Sequence, residues 1–176
     1  MRAALLALSA LALLGGCATT AGQFAEPAIA GVDTAERTID YDRFESLTRE
    51  LRTYREGRRV TLTEFKDMAA KPDALILDAR SENAYRRGHI KGAINLPFTD
   101  FTAQSLAAAI GDADRPILIY CNNNFANNAQ PVILKAAPLA LNIPTFINLY
   151  GYGYKNIYEL RDVIDFNDPK VEWVTG

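Results

Sequence analysis

Residues 74–97, ALILDARSENAYRRGHIKGAINLP, contain the pattern that decides the fold. This stretch begins with four apolar residues and reaches its first charge at Asp78. A short apolar run with polar residues at its end is typical of a strand buried on both faces of a parallel sheet. A second run of this kind, residues 116–120 (PILIY), ends at Cys121. We therefore predict two buried strands, one ending at Asp78 and the other at Cys121.

The rest of the chain from residue 60 onward alternates short apolar runs with helical patterns. Such alternation indicates a parallel sheet covered by helices. We expect a third strand at residues 145–149, then a turn at Gly151 and Gly153, and a helix at about residues 156–163. Residues 60–176 are thus predicted to form a single α/β domain with a central, mostly parallel sheet flanked by helices.

An additional helix is predicted before this domain, within residues 38–59. Phe44, Leu47, Leu51 and Tyr54 recur at spacings of three and four, with charged residues between them. This period places the apolar side chains on one face of a helix. We expect that face to pack on the main domain.

Composition limits the classes of function. The chain has 176 residues, of which 49% are hydrophobic and 23% charged, as in one globular domain. Its net charge of -2, without a basic stripe, argues against nucleic acid as a partner. One His and two Cys cannot provide a four-ligand zinc site within a monomer, so we expect no built-in structural metal.

The N-terminus has the pattern of a secretory signal peptide over residues 1–16. Arg2 is followed by an apolar run, residues 3–14, that is shorter than the roughly 20 residues needed to cross a bilayer. Residues 14–17, LGGC, resemble the lipobox of bacterial lipoproteins, in which the chain is cleaved before the Cys. An ordinary signal peptide, cut near residues 18–21, remains an alternative.

The lipobox resemblance implies that Cys17 is acylated and becomes the mature N-terminus. Residues 17–37 would then form a lipid-attached tether, and the lipid would hold the protein on a membrane. By the same resemblance the protein is exported to the bacterial cell envelope and faces the periplasm. Ala18 follows the Cys where an Asp would favour the inner membrane, so the outer membrane is the preferred location.

Cys121 is the one cysteine left in the predicted mature domain. An odd Cys in an oxidising compartment is buried, paired with another molecule, or reactive. Cys121 stands at the carboxyl end of a predicted strand, where ligands bind in open α/β sheets. An inert buried Cys is the alternative.

The residues after Cys121 favour the reactive interpretation. Residues 122–128, NNNFANN, predict a tight loop because Asn tolerates left-handed backbone geometry. Residues 129–135 predict a helix capped by Asn127 or Asn128, with Pro131 in its first turn. Loop amides and a helix N-terminus stabilise negative charge, so we expect a lowered pKa for the Cys121 thiol.

Residues 78–97 resemble the first signature of rhodanese-like domains, the sulfurtransferase family. Residues 117–121 match the place where the family has its persulfide-forming cysteine, and residues 60–65 match the start of its domain. The resemblance covers about residues 60–174. It implies that five residues of the first signature form framework: Asp78, Arg80, Gly88, His89 and Gly92.

The resemblance also implies a two-step mechanism at Cys121, without a metal or cofactor. The thiolate takes the outer sulfur of a donor such as thiosulfate and passes it to cyanide or another thiophilic acceptor, including a thiol. The loop amides would hold the charge of the persulfide. The loop residues expected to bind the substrate are Asn122, Asn123, Asn124, Phe125, Ala126 and Asn127.

This loop departs from the family pattern in one respect. Active rhodaneses usually carry an Arg or Lys and a Gly in the loop, whereas this chain has Asn, Phe and Ala. The loop therefore lacks the positive charge that would favour binding of a dianion such as thiosulfate. Lys135 and Lys155 are the candidate cations to replace it. Phosphatases of this fold need an Arg where this chain has Asn127, which makes phosphatase chemistry remote.

Two other functions remain open. The first is a catalytically weak module that binds a protein or small molecule through the Asn-rich loop and a rim of Tyr150, Tyr152 and Tyr154; packing around the turn is the simpler role for these tyrosines. The second is a redox thiol at Cys121. The single His, His89, could instead serve as a base for Cys121, but we expect it to be a turn residue that bonds the backbone.

Overall fold

A computed structural model describes residues 39–176. The predicted signal peptide, the lipid tether and the acylation site Cys17 lie outside the described residues. Within residues 39–176, no helix has the length and apolar character needed to cross a bilayer.

Five α-helices and seven β-strands make up the described chain. The helices are α1 Tyr41–Glu56, α2 Leu62–Ala69, α3 Glu82–Arg87, α4 Ala103–Ile110 and α5 Asn142–Gly151. The strands are β1 Arg59–Val60, β2 Leu75–Asp78, β3 His89–Ile90, β4 Ala93–Asn95, β5 Ile117–Tyr120, β6 Ile157–Leu160 and β7 Trp173–Val174.

The central sheet has five parallel strands in the order β1-β6-β5-β2-β4. Strand β5 is the middle strand, and Leu118 faces Ile76 on one side and Tyr158 on the other. Strands β3 and β7 form a separate antiparallel pair. The predicted fold class, a mostly parallel sheet with flanking helices and an extra N-terminal helix, is confirmed.

The two faces of the sheet carry different helices. Helices α1, α4 and α5 pack on one face, where Ile117 and Ile119 of β5 are buried. Helix α2 packs on the other face, where Leu118 and Tyr120 are buried. Successive side chains of a strand point to opposite faces, so the residue that follows Tyr120 returns to the α5 face.

The N-terminal helix forms as predicted. The Asp40 carboxylate caps α1 by accepting the backbone N–H of Arg43 at 2.8 Å. Leu51 is buried in the core, and the Tyr54 hydroxyl donates to the carbonyl of Lys155 at 2.6 Å. Helix α1 is therefore held to the domain by both apolar and polar contacts.

Two predicted elements near the C-terminus are wrong in type. The strand expected at residues 145–149 is the middle of helix α5, and the helix expected at residues 156–163 contains strand β6. The first stretch contains β-branched and aromatic residues, which favour strands in general. Here Phe146 and Leu149, three residues apart, are buried against the sheet, and this packing favours the helix.

Candidate active site

Cys121 directly follows β5, the middle strand of the sheet. Its backbone continues the extended conformation, with φ -145° and ψ -176°, which directs the side chain to the α5 face. The residue is only 1% exposed. The thiol is thus buried at the carboxyl edge of the sheet, close to the start of α5.

Backbone N–H groups from two segments act on the Cys121 thiol and lower its pKa. They belong to Asn123 in the loop and to Leu141 and Asn142 at the start of α5. The first N–H groups of a helix have no partner within the helix, so they are free to donate to an anion. Pro144 in the first turn fits this position because its missing N–H would have had no helical acceptor.

The pKa of the Cys121 thiol is raised above its ordinary value, contrary to the sequence prediction. Burial is the largest cause, because it disfavours the charged thiolate. The N–H groups of Asn142, Asn123 and Leu141 lower the pKa, while the buried carboxylate of Glu159 raises it further. The predicted N–H donors are partly present, but removal of the thiol from water has the larger effect.

The side chain of Asn124 organises the loop after Cys121. Its Oδ1 accepts the backbone N–H of Cys121 at 3.0 Å and the side-chain amide of Asn142 at 3.0 Å. Its Nδ2 donates to the carbonyls of Leu160 at 2.7 Å and Asp162 at 3.1 Å. Asn124 is buried, so these four bonds connect the ends of β5 and β6 with the start of α5.

Two further Asn side chains hold the segment 131–140, which we call the strap. Asn122 donates to the carbonyl of Ile133 at 2.8 Å. Asn123 donates to the carbonyl of Lys135 at 2.7 Å and accepts the N–H of Lys135 at 3.1 Å. The strap is thereby fixed across the loop that contains Cys121.

The strap occupies the place where the sequence predicted a helix at residues 129–135. That prediction is wrong, because only a short 3-10 turn, Ala137–Leu139, forms between the loop and α5. Asn128 has a left-handed φ of 42°, as Asn tolerates, and its Oδ1 accepts the N–H of Leu134 at 3.2 Å. Backbone groups that a helix would pair internally are therefore bonded to Asn side chains.

The second half of the predicted substrate loop packs away from the thiol. Phe125 is fully buried and makes edge contacts with Tyr120 and Trp173, at ring-centroid distances of 5.9 and 5.0 Å. The N–H of Ala126 donates to the carbonyl of Ile164 at 2.9 Å. Asn127 donates to Oδ1 of Asp165 at 2.7 Å, so this half anchors the loop to the segment after β6.

Three backbone N–H groups of the loop are already occupied by carbonyl oxygens. Asn124 donates to Cys121, Phe125 to Asn122 and Ala126 to Ile164. Among the other loop amides, the N–H of Asn123 lowers the pKa of the Cys121 thiol. The N–H groups of Leu141 and Asn142, at the start of α5, act in the same direction.

Asp78 and Arg80 form a buried ion pair on the neighbouring strand end. Arg80 Nη2 lies 2.6 Å from Asp78 Oδ2 and also donates to the carbonyl of Gly88 at 2.7 Å. The Tyr120 hydroxyl donates to Asp78 Oδ2 at 2.6 Å and accepts the N–H of Ile90 at 3.2 Å. This network joins β2, β5 and the turn before β3, which is a framework role.

His89, with Gly88 before it and Gly92 three residues after it, also lies in the framework. His89 Nδ1 is 2.9 Å from the carbonyl of Tyr85, and its ring stacks on the Tyr85 ring at 3.8 Å. Gly92 has a φ of 84°, and a Cβ on Gly88 would lie 2.2 Å from Trp173 Nε1. His89 thus bonds the backbone, as the sequence predicts.

The tyrosine rim and Lys155, one of the two candidate cations, lie at the edge of the sheet opposite to Cys121. Helix α5 starts near Cys121 and ends at Gly151, so Tyr150, Tyr152 and Tyr154 are at the amino edge, packed in the core. Lys155 donates there to the carbonyl of Tyr150 at 2.9 Å. Lys135, in the strap, is the candidate cation that remains beside the loop.

Two polar atoms of this region are buried without a hydrogen-bond partner within residues 39–176. They are Oδ1 of Asn122 and Oγ1 of Thr145, and Thr145 lies one turn after Asn142 on the same face of α5. Residues 39–176 contain no group of three His, Cys, Asp or Glu side chains placed to hold a metal ion.

The family model of the rhodanese-like domain matches residues 61–162, more than half of the chain. This protein belongs to the rhodanese-like domain family. The match includes Cys121, the Asp78–Arg80 pair and the start of α5, but it excludes helix α1.

Curated relatives share this region at low identity. The chain is 28% identical over 109 residues to the tRNA uridine(34) hydroxylase of Hamiltonella defensa, covering 60% of this chain and 26% of that protein. It is 29% identical over 76 residues to protein YibN of Escherichia coli K12, covering 43% of this chain and 49% of that protein. The chain therefore spans about half or less of the length of these relatives.

Solved structures show similarity at the level of the domain. The Alr3790 protein of Anabaena sp. has a TM-score of 0.41 and 21% identity, covering 58% of this chain and 69% of that one. The BH2092 protein of Bacillus halodurans has a TM-score of 0.41 and 15% identity, covering 66% and 73%.

Sequence reasoning missed Asn142 and Glu159. Asn142 and Pro144 both lie in the first turn of α5, and Pro144 is the available signal, because Pro is favoured in the first turn of a helix. Glu159 lies between apolar residues of β6. Because charged residues are seldom buried, its presence argues against a buried strand at this place in the sequence. Only the packed structure brings these two side chains to the environment of Cys121.

Proposed function

We propose that this rhodanese-like protein is a sulfurtransferase that carries sulfane sulfur as a persulfide on Cys121. One observation supports this most strongly: the one cysteine of the described residues is buried at the carboxyl end of the middle strand, tied through Asn124 to the start of α5, where helix N–H donors lie. Such donors stabilise a thiolate or persulfide anion without any change of protonation on the protein. The family includes sulfurtransferases and related enzymes.

The proposed reaction has two steps that return the enzyme to its starting form. The Cys121 thiolate attacks the outer sulfur of thiosulfate, the S–S bond of the donor breaks, and sulfite leaves with the electron pair. An acceptor such as cyanide then attacks the outer sulfur of the Cys121 persulfide. The S–S bond on the enzyme breaks, thiocyanate leaves, and the thiolate is regenerated.

The charge near the site favours a donor with less charge than thiosulfate. Residues 122–142 contain a single charged residue, Lys135, and its backbone rather than its ammonium is bonded to Asn123. Neutral N–H donors suit a singly charged persulfide better than a dianion, because burial of two charges costs more than burial of one. We therefore propose a small-thiol persulfide as a better donor than thiosulfate.

Thiocyanate formation from two donors tests this function. Purified protein is assayed with cyanide and either thiosulfate or glutathione persulfide, beside a Cys121→Ser control. The proposal expects turnover that depends on Cys121 and a higher kcat/KM for the persulfide. Equal rates for the wild type and Cys121→Ser with both donors would exclude the proposed activity.

A binding function is the second candidate, and the strap favours it. Ile133, Leu134 and Leu139 are exposed at 42%, 41% and 74%, next to the loop that contains Cys121. Apolar side chains grouped at a surface favour contact with a partner. In this case the charged variants Ile133→Lys and Leu139→Lys would abolish association with the partner and leave alkylation of Cys121 unchanged.

We propose in addition that the protein is anchored by a lipid on Cys17 and faces the periplasm, at the outer membrane. The support is the LGGC sequence at residues 14–17. Metabolic labelling with a fatty-acid analogue would test the anchor. Label is expected on the wild type and absent from Cys17→Ser, and equal labelling of both would exclude acylation at this residue.

A further inference from the structure

Glu159 is a buried carboxylate on the strand next to β5, which leads into Cys121. It lies on β6 opposite Ile119 of β5, two residues before Cys121, and is only 4% exposed. Paired residues of parallel strands share a face, so Glu159 lies on the α5 face with Cys121. Among the charged side chains of the described residues, Glu159 is the one that raises the pKa of the thiol.

The partner of Glu159 comes from the N-terminal helix. Arg55 of α1 donates through Nε to Oε2 at 2.6 Å and through Nη2 to Oε1 at 2.5 Å. Two parallel bonds between a guanidinium and a carboxylate hold both groups in position, and the positive charge of one compensates the negative charge of the other. The side chain of Arg55 is 24% exposed, so the pair lies at the buried underside of α1.

Arg55 lies outside the matched family region, which begins at residue 61. The pair therefore links a helix outside the matched family region with the buried carboxylate that raises the pKa of Cys121. An unpaired carboxylate at this depth would repel a thiolate or persulfide, because Coulomb interactions are strong where water is excluded.

The geometry points to Arg55 as a positioning residue for Cys121: by pairing with Glu159, docked helix α1 keeps the site able to hold a negative sulfur. This inference rests on the proposed use of Cys121 as the nucleophile. It adds a condition, which is that the N-terminal helix must be docked for the thiol to react at its full rate.

Other charged groups around Cys121 and Glu159 have contacts of their own. Arg59, opposite Glu159 on β1, donates to Glu56 at 3.3 Å. On the opposite face of the sheet, Asp78, Arg80 and Tyr120 are bonded to one another. Helix α5 presents the uncharged Asn142 and Thr145. Asp162, after β6, accepts the N–H of Leu62 at 2.8 Å, and the strap carries Lys135 at the surface.

The test is the pH profile of Cys121 alkylation by iodoacetamide in the full chain, followed site by site by mass spectrometry. In Arg55→Met, the rate at pH 7.5 is expected to fall about tenfold, which corresponds to a midpoint about one pH unit higher. Glu159→Gln is expected to shift the midpoint in the opposite direction. The double variant Arg55→Met/Glu159→Gln is expected to react at least as fast as the wild type, because it leaves no unpaired charge.

Two controls separate this role from a loss of structure. Arg49→Met changes an exposed Arg on the same helix, and the profile is expected to stay unchanged. Arg55→Lys keeps the positive charge and is expected to restore most of the rate. Near-ultraviolet circular dichroism establishes that each variant is folded at the temperature of the assay.

An Arg55→Met profile identical to that of the folded wild type would overturn the inference. A double variant that remains as slow as Arg55→Met would also overturn it, because the loss would then not act through Glu159. Alkylation does not depend on sulfur transfer. Shifted profiles in a protein without thiocyanate formation would thus refute the proposed function and leave the role of Arg55 intact.

Discussion

The side-chain amide of Asn142 donates to Oδ1 of Asn124 at 3.0 Å, and the same oxygen accepts the backbone N–H of Cys121 at 3.0 Å. One amide oxygen thus connects the end of the middle strand with the start of the helix that points at the thiol. This connection holds Cys121 beside the first residues of α5. The Asn-rich loop therefore positions Cys121 through side-chain hydrogen bonds, in addition to reversing the chain.

Replacement of Asn124 by Ala is expected to destabilise the protein substantially. The change removes four hydrogen bonds and leaves buried backbone groups of Cys121, Leu160 and Asp162 without partners. We expect a decrease of about 2–4 kcal/mol in the free energy of unfolding, measured by urea denaturation. The exposed Asn167→Ala serves as the control and is expected to change it by less than about 0.5 kcal/mol. Equal stability of the two variants would contradict the framing role of Asn124.

Alkylation of Cys121 is expected to accelerate as the pH rises above neutrality. Burial and Glu159 raise the pKa of the thiol, so the thiolate dominates only above the ordinary cysteine range of about 8.5. The rate of reaction with iodoacetamide between pH 6 and 10.5 measures the midpoint. A midpoint below pH 7 would show that the N–H donors outweigh burial.

Tyr120 is expected to make the folded protein sensitive to alkaline pH. Burial, and next the nearby charge of Asp78, hold the pKa of Tyr120 well above its ordinary value of 10. Between that ordinary value and the folded pKa, the unfolded chain releases a proton that the folded chain retains. The stabilising contribution is therefore complete below about pH 10 and is lost as the pH rises further.

The variant Tyr120→Phe tests this in a Cys121→Ser background, which removes the titration of the thiol. At pH 7 the variant is expected to be about 1–3 kcal/mol less stable, because Asp78 loses a buried donor. Its stability is expected to fall less steeply than that of the parent above pH 10. Parallel stability curves for the two proteins would argue against a buried protonated Tyr120.

Gly88 and Gly92 are expected to differ strongly in their tolerance of a side chain. A Cβ at Gly88 would lie 2.2 Å from Trp173 Nε1, whereas a Cβ at Gly92 would have nothing within 4 Å. Gly88→Ala is expected to cost about 3 kcal/mol or more and to shift the emission of Trp173, the single Trp of the chain. Gly92→Ala, with φ at 84°, is expected to cost about 1–2 kcal/mol from backbone strain alone. Similar losses for both would contradict the close packing of Gly88 on Trp173.

The middle of the sheet could be predicted from local sequence because its strands are simple apolar runs. The sequence predicts strand ends at Asp78 and Cys121; β2 ends at Asp78 and β5 ends at Tyr120, one residue before Cys121. The framework roles of Arg80 and His89 followed from the resemblance of residues 78–97 to the family signature. Signals of this kind are local, and tertiary packing reinforces them.

The surroundings of Cys121 could not be predicted because they depend on contacts distant in sequence. Asn123 and Asn128 bond the backbone of the strap and so replace the expected helix. The direction of the thiol pKa shift depends on burial and on Glu159, 38 positions later in the chain, neither of which local patterns reveal. Thus the position of Cys121 at the end of a central strand was predictable, whereas its electrostatic environment was not.

The intact mass of the protein after treatment with a sulfane-sulfur donor tests the central proposal most directly. Protein is incubated with thiosulfate or glutathione persulfide, desalted and weighed, then treated with cyanide, beside the Cys121→Ser control. A gain of one sulfur atom on Cys121, removed by cyanide as thiocyanate, is the predicted result. An unchanged mass with both donors, while Cys121 is still alkylated by iodoacetamide at high pH, would contradict sulfur transfer through this residue.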